Sequence, residues 1–112
     1  MNYPNLLQDR GVSLDQLGLR ERALHRNDAL QAIDLLSHAN VPILGGDVYL
    51  LSGTSVRLAY ANWHAERRED ETEDAYCKRS WALAEEYIRK YPPPPADQID
   101  LPIFVLVPKK TD

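Results

Sequence analysis

The sequence has few of the residues that build specialised sites. A single cysteine, Cys77, excludes an intramolecular disulfide and is typical of a protein from a reducing compartment. The three histidines are far apart, and no Cys-x-x-Cys or His-x-x-x-His spacing occurs, so we predict no metal site and no cofactor. Phosphate-binding glycine loops and Gly-x-Ser-x-Gly nucleophile motifs are missing as well. We therefore predict no catalytic residues.

Long apolar runs are also missing. The segment 1–11 lacks the basic start and the apolar stretch of a secretory signal, and no run approaches the roughly 20 apolar residues of a membrane span. We therefore expect a cytoplasmic protein. The chain has 112 residues, of which 44% are hydrophobic and 27% are charged, and this composition predicts one folded domain over 1–112.

The net charge of −4 is concentrated in one short segment. His64 to Asp74 holds six acidic and two basic residues, whereas the rest of the chain is close to neutral. A nucleic-acid-binding protein would carry a concentrated basic surface, so we predict no nucleic-acid partner. The segment favours a basic protein partner, although runs of like charge are more often simply exposed to solvent.

The strongest β pattern lies between Val41 and Trp63. Apolar residues run through Gly45-Gly46-Asp47, turn at Ser52-Gly53-Thr54 and return as an alternating stretch. This pattern predicts an antiparallel hairpin at about 43–63. Two adjacent glycines within a strand indicate a bulge or a close approach of the backbone.

Helical and strand patterns flank the hairpin. Apolar residues at spacings of three and four predict helices at about 28–39 and 73–91. A continuous apolar run bounded by prolines predicts a C-terminal strand at about 101–107. Ser13 to Gly18 predicts a one-turn helix, and Leu19 to Arg26 gives no clear assignment. The expected fold class is α+β, with a small antiparallel sheet packed against the two helices.

The order of residues through the hairpin and the second helix resembles a known family. The residues that carry the resemblance are ILGGDVY (43–49), YANW (60–63) and, on the helix, Tyr76, Ser80 and Tyr87-Ile88. Over roughly 25–91 the chain is similar to the immunity protein 40 family of bacterial polymorphic toxin systems. The resemblance implies a non-enzymatic cytoplasmic protein that binds a cognate toxin domain and neutralises it by direct protein–protein interaction.

For such a protein we predict a partner surface of polar-tipped aromatic residues and acids. The aromatic side chains would anchor the toxin, while the acids would steer it and pair with its Lys and Arg residues. A nuclease toxin would suit an acidic inhibitor, because a nuclease keeps a basic surface for its substrate. The predicted partner-binding residues are Asp47, Tyr60, Asn62, Trp63, Glu66, Glu69, Asp70 and Glu71.

Other readings of these residues remain open. Trp63 could equally pack beneath the long helix with its N–H bonded to a carbonyl, and Asp47 could cap backbone amides at a bulge. A small ligand-binding or enzymatic domain that uses the bend at Gly45-Gly46-Asp47 would show a deep pocket around Asp47. A structural subunit would pair its C-terminal strand with a second copy.

Overall fold

The structure is a computed structural model that describes residues 1–95 and 99–110. Within these residues the strands are β1 (Val12–Ser13), β2 (Arg22–His25), β3 (Ile43–Ser52), β4 (Ser55–His64) and β5 (Leu101–Pro108). The helices are α1 (Tyr3–Arg10), α2 (Arg26–His38) and α3 (Glu73–Lys90). The strands form one antiparallel sheet in the order β1-β2-β5-β3-β4.

The α+β fold predicted from the sequence is confirmed. The hairpin, the C-terminal strand and both predicted helices are present, with boundaries that differ by one or two residues. Helix α2 begins at Arg26 rather than at about residue 28, and its N-cap residue His25 makes no capping side-chain bond. Strands β1 and β2 lie where the sequence gave no strand prediction, and they extend the sheet beyond the hairpin and β5.

The helices cover one side of the sheet. The buried side chains of this main core come from the three helices and from alternate positions of the four longer strands. They are Leu6, Leu24, Ala29, Ala32, Ile33, Leu36, Ile43, Val48, Trp63, Ala84, Ile88, Phe104 and Leu106. At roughly 25 cal/mol for each Å² of apolar surface removed from water, burial of this cluster is the main force that holds the helices on the sheet.

Polar bonds fix α3 across the start of β3. The Ser80 hydroxyl accepts a hydrogen bond from the Ile43 N–H at 3.1 Å, and it donates one to the Cys77 carbonyl at 2.8 Å. The Trp81 indole N–H donates to the carbonyl of Val41 at 2.7 Å. These bonds satisfy polar groups that would otherwise be costly to bury. They also fix the position of α3 relative to the start of β3.

The other side of the sheet is only partly covered. The predicted one-turn helix is confirmed as a 3-10 turn at Asp15–Leu17, ended by Gly18 in a left-handed conformation. The segment that contains this turn packs over the end of the sheet nearest the hairpin turn. There the Gln16 side chain donates a hydrogen bond to the Thr54 carbonyl at 2.5 Å and accepts one from the Val56 N–H at 3.0 Å. We call this side of the sheet the open face, because the segment covers only the end near the hairpin turn.

Strand β5 lies inside the sheet. It pairs with β2 on one side and with β3 on the other, and its residues from Pro102 to Leu106 are buried. The edge facing β3 is paired from Leu101 to Pro108, whereas the edge facing β2 is paired at Ile103 and Phe104. A second copy could not pair with the edge of β5 that faces β3, because β3 occupies that edge.

Candidate functional site

Trp63 belongs to the core. Its side chain is 6% exposed, lies on the helix side of the sheet, and stacks on Tyr87 with ring centroids 4.6 Å apart. The indole therefore has little free surface for the anchoring contact that the sequence suggested, and the alternative in which it packs beneath the long helix matches its position. The expected bond to a carbonyl is also missing, since the buried indole N–H has no hydrogen-bond partner among the described residues.

The two glycines of the hairpin make room for Trp63. A Cβ atom at Gly46 would lie 2.5 Å from the Val105 carbonyl oxygen and would overlap the Trp63 ring. A Cβ atom at Gly45 would overlap the Trp63 carbonyl oxygen. The close approach of the backbone that the glycine pair indicated is therefore present. Without a side chain at Gly46, the six-membered ring of the indole can approach β3 closely.

Tyr60 projects from a bulge in the edge strand β4. Between the pairs Val48–Ala61 and Tyr49–Leu58, two residues of β4 have no partner on β3, and the second of them is Tyr60. Its φ angle is +55° and its side chain is 89% exposed. A left-handed conformation costs a non-glycine residue roughly 1–2 kcal/mol. An exposed aromatic ring on a strained backbone position makes Tyr60 a candidate for a partner contact.

Asp47 and Asn62 are neighbours on the open face. They form a cross-strand pair, and Asp47 also pairs with Val105 of β5. Asp47 is half-buried and Asn62 is exposed. No hydrogen bond or ion pair of the Asp47 carboxylate is found within the described ranges, so the capping of bulge amides is not observed. The carboxylate is available to a donor from outside the chain.

An internal clamp organises the acidic segment after β4. Arg79 of α3 donates from Nε and Nη2 to the Glu71 carboxylate at 2.7 and 2.8 Å, and Nη2 also donates to the Glu66 carbonyl at 2.5 Å. The Arg68 backbone N–H donates to the same carboxylate at 3.1 Å. Paired donors of this kind give a strong and directional charge-assisted contact. Glu71 therefore holds the loop in place and has little capacity left for a partner.

The clamp lowers the pKa of the Glu71 carboxyl. The hydrogen bonds from Arg79, followed by the bond from the Arg68 N–H, lower the pKa of this carboxyl from 4.5 to about 2. The side chain is only 9% exposed. Because the folded-state pKa lies below the unfolded one, the stabilisation from the clamp is present above pH 4.5 and is lost as the pH falls towards 2.

Replacing Arg79 by methionine tests the clamp. The variant keeps the long side chain but removes the donors, so the pKa of Glu71 is expected to rise from about 2 towards 4.5, as measured by carboxyl-carbon NMR. Hydrogen exchange of the loop amides should accelerate in the same variant. Arg89→Met is the matched control, because it removes an exposed arginine that pairs with Glu85 four residues earlier. An unchanged Glu71 pKa in Arg79→Met would contradict the clamp.

The remaining acids of the predicted site face solvent. Glu66, Glu69 and Asp70 are exposed, and none of them forms an ion pair within the part of the chain that the structure describes. By contrast, Glu73 contacts Arg67 at 2.7 Å and Asp74 contacts Lys78 at 3.2 Å. The charge available to a partner therefore lies in the three acids 66, 69 and 70.

The geometry gives little support to a small-molecule site at the glycine bend. Asp47 lies on a sheet face, and it lines none of five surface depressions of about 370 to 550 Å³ in the described chain. No group of three His, Cys, Asp or Glu side chains among residues 1–95 and 99–110 is placed to hold a metal ion. What the surface offers is an exposed aromatic ring, free acids and a shallow face.

The structure separates the eight predicted residues into two groups. Those that can reach a partner are Asp47, Tyr60, Asn62, Glu66, Glu69 and Asp70, and those that support the surface from behind are Trp63 and Glu71. Sequence reasoning missed Arg79, which lies eight residues after Glu71. No local pattern links them, because the loop must first fold back onto α3.

Comparisons with known proteins identify the family. No helix among the described residues is both long and apolar enough to cross a membrane. Comparison with curated proteins and with solved structures gives no significant match. The family model of immunity protein 40 matches residues 13–108, which is most of the chain and a wider range than the motifs alone cover. Immunity protein families act by neutralising toxins and are in general not enzymes. The chain therefore belongs to the immunity protein 40 family.

Proposed function

We propose that this protein is the cytoplasmic immunity protein of a polymorphic toxin system. It acts as a single binding domain over 1–112, has no enzymatic activity, and neutralises a cognate toxin domain by direct contact. Its family membership supports the role. The observation that carries the proposed site is Tyr60, an aromatic residue kept 89% exposed in a left-handed conformation next to an acidic loop.

Tyr60 and the exposed acids have different roles in binding. The tyrosine ring offers a large apolar contact and a hydroxyl that can donate or accept a hydrogen bond, and this combination is frequent at interface hot spots. Glu66, Glu69 and Asp70 attract a basic partner over longer distances and then pair with its Lys or Arg side chains. Asp47 and Asn62 provide polar contacts on the adjoining sheet face.

The internal clamp makes the acidic loop a prepared surface. Arg79 and Glu71 fix the loop before the partner arrives, so less conformational entropy is lost on binding. Trp63 has a similar supporting role on the sheet, because its ring packs under α3 and fixes β4 near its end. A preorganised surface should bind with little backbone rearrangement.

The charge pattern favours a nuclease as the toxin. A nuclease needs a basic surface for its polyanionic substrate, and an acidic inhibitor competes for that same surface. Binding over or beside that surface would exclude the nucleic acid both sterically and electrostatically. The proposed partner is therefore a toxin C-terminal domain with a basic face, and its complex should weaken as salt concentration rises.

Charge reversal of the three free acids tests this assignment. We expect the Glu66→Lys, Glu69→Lys, Asp70→Lys variant to slow association with the toxin domain encoded beside this gene by at least about tenfold at low salt. Stopped-flow or biosensor kinetics would measure the rate. Co-expression with the toxin would measure protection, which should decline in the same variant.

The matched control places the same charge change elsewhere. Asp9→Lys, Asp34→Lys and Glu85→Lys alter exposed acids of α1, α2 and α3 and shift the net charge by the same amount. We expect a much smaller effect on association, because these residues lie away from the acidic loop. If both variants slowed association equally, or if neither did, the acidic loop would not be the contact surface.

A further inference from the structure

Strand β4 leaves one edge of the sheet free. It ends the strand order, and no strand of the described chain pairs with the side of β4 that faces away from β3. The backbone N–H and C=O groups along such an edge can pair with a strand of another chain, so proteins protect free edges with prolines, lysines, bulges or covering groups. Strand β4 contains neither proline nor lysine. Its other protection therefore decides where a partner strand could pair.

The backbone bonds near the end of β4 show which residues face the free edge. Ala65, which directly follows β4, donates its N–H to the Leu44 carbonyl of β3 at 2.8 Å. Successive residues of an antiparallel strand direct their backbone groups alternately to one side and to the other. His64 and Asn62 therefore direct their N–H and C=O groups away from β3, and these groups form a short row along the free edge.

The two halves of this edge are protected unequally. Near the hairpin turn, the Val56 N–H bonds to the Gln16 side chain at 3.0 Å and not to β3. In the middle, the bulge at Ala59 and Tyr60 interrupts the regular pairing. Beyond the bulge, no side-chain or loop bond to the outward groups of residues 61–64 is found among the described residues. We call 61–64 the free edge segment.

Helix α3 borders the free edge segment on the covered side of the sheet. Trp81 bonds to the Val41 carbonyl just after α2, so it marks the flank of α3 next to α2. Leu83 faces the opposite flank, because two residues span about 200° of a helix. On that flank Tyr87 stacks on Trp63 of the free edge segment. A groove of about 430 Å³ follows the flank and is lined by Leu83, Glu86, Tyr87, Lys90, Tyr91 and Pro92. A strand added to the segment would direct alternate side chains towards this side.

The charges near the free edge segment favour a basic partner strand. Glu66 follows His64 by two residues, so the free acids of the acidic loop begin at the end of the segment. The segment itself, ANWH, contains no lysine or arginine, and Arg57 earlier on β4 is paired with Asp100. A second copy paired through its own segment would therefore bring no free Lys or Arg of β4 to these acids. A foreign strand with Lys or Arg beside apolar residues complements both the acids and the groove.

We propose that an extended segment of the toxin domain adds to the sheet by pairing with the free edge segment. Its apolar side chains lie along the groove of α3, and its Lys or Arg residues contact Glu66, Glu69 and Asp70. This inference rests on the proposed function and states how the toxin is held. The free edge segment lies between Tyr60 and the acidic loop, so pairing there joins both features in one interface. Backbone pairing supplies affinity, and the side chains on each side of the added strand supply specificity.

Amide hydrogen exchange tests the pairing without any substitution. The probe is the toxin domain recovered by pull-down with this protein, and residue-level exchange is measured by NMR for the free protein and for the complex. We expect the amides of Asn62 and His64 to exchange at least about tenfold more slowly in the complex, because only the added strand bonds them. The Val56 amide is the internal control, since Gln16 already bonds it. Unchanged exchange at Asn62 and His64 in a complex that neutralises the toxin would overturn the inference.

His64→Pro tests the same pairing through the backbone. Proline removes an N–H that β3 does not use, and prolines are tolerated on edge strands where the N–H faces solvent. The matched control is His64→Ala, which removes the imidazole but keeps the N–H. We expect the dissociation constant of His64→Pro to exceed that of His64→Ala by at least about tenfold, because a bond is lost and an acceptor of the toxin is left unpaired. Unfolding of both variants is measured in parallel, and Asn62→Pro with Asn62→Ala repeats the comparison at the second outward residue.

The outcomes separate this inference from the function on which it rests. If the folded proline variants bind the toxin domain as tightly as the alanine variants, no strand pairs with the free edge segment and the inference is overturned. If the unaltered protein forms a dimer that protects the amides of Asn62 and His64 without toxin, the edge belongs to a second copy, which also overturns it. Absence of toxin binding by the unaltered protein would instead contradict the proposed function itself.

Discussion

Replacing Trp63 by alanine is expected to lower the free energy of unfolding by about 4 kcal/mol. The indole is 6% exposed, stacks on Tyr87 and fills the space above Gly46, so its removal leaves a large cavity between β3 and α3. Denaturant unfolding followed by circular dichroism would measure the loss, since the fluorescence of the removed tryptophan is no longer available.

Trp63→Phe is the informative control for this substitution. The phenyl ring keeps an aromatic surface for Tyr87 and removes the buried indole N–H that has no partner within the described ranges. An unpaired buried donor costs roughly 1–3 kcal/mol, so its removal offsets part of the lost packing. We expect a loss of about 1 kcal/mol or less, with toxin affinity unchanged. If a stable Trp63→Phe protein bound the toxin much more weakly, the indole would have to contact the toxin directly.

Gly46→Ala is expected to destabilise the fold by about 3 kcal/mol. The added Cβ atom would lie 2.5 Å from the Val105 carbonyl oxygen and would overlap the Trp63 ring. Neither neighbour can move freely, because one is backbone of the central strand β5 and the other is a packed indole. Thermal and chemical unfolding would measure the loss.

A second glycine offers a contrast for that substitution. Gly53 in the hairpin turn has φ +64°, and nothing lies within 4 Å of an added Cβ atom. Gly53→Ala should therefore cost only the roughly 1 kcal/mol of a left-handed alanine. If Gly46→Ala were no more damaging than Gly53→Ala, the close packing of Trp63 on β3 would be wrong.

The elements with strong local periodicity were predictable from the sequence. Helix α3 has apolar residues at spacings of three and four over its whole length, and the Thr72 side chain caps it by accepting a hydrogen bond from the Ala75 N–H at 3.1 Å. The hairpin was predictable because Gly53 marks the turn between two alternating runs. Asn40, just after α2, has a left-handed backbone with φ +61°, a conformation that asparagine tolerates better than most residues and that is common at helix ends.

Elements that depend on distant contacts were not predictable in this way. Strands β1 and β2 have only two and four residues, too few for a period to show, and β2 is held by pairing with β5 far along the chain. The terminal helix α1 has only one buried residue, Leu6, so its sequence carries little periodic signal. The positions of β1, β2 and α1 depend on strand pairing and packing with residues distant in the sequence.

The candidate site was predicted in part. The sequence identified Tyr60 and the free acids, because polar-tipped aromatics and concentrated charge are visible without a structure. It could not show that Trp63 faces α3, since strand alternation gives two faces without saying which one the helices cover. It could not show the two-residue bulge at Tyr60 either.

The central claim is that this protein neutralises a toxin domain by binding it directly. The most direct test is to isolate a toxin domain that binds this protein by pull-down and to titrate its activity with the unaltered protein, using nucleic-acid cleavage as the first activity assayed. We predict that toxin activity falls to background when one molecule of this protein is present for each toxin molecule. Full toxin activity in the presence of excess folded protein would contradict the claim.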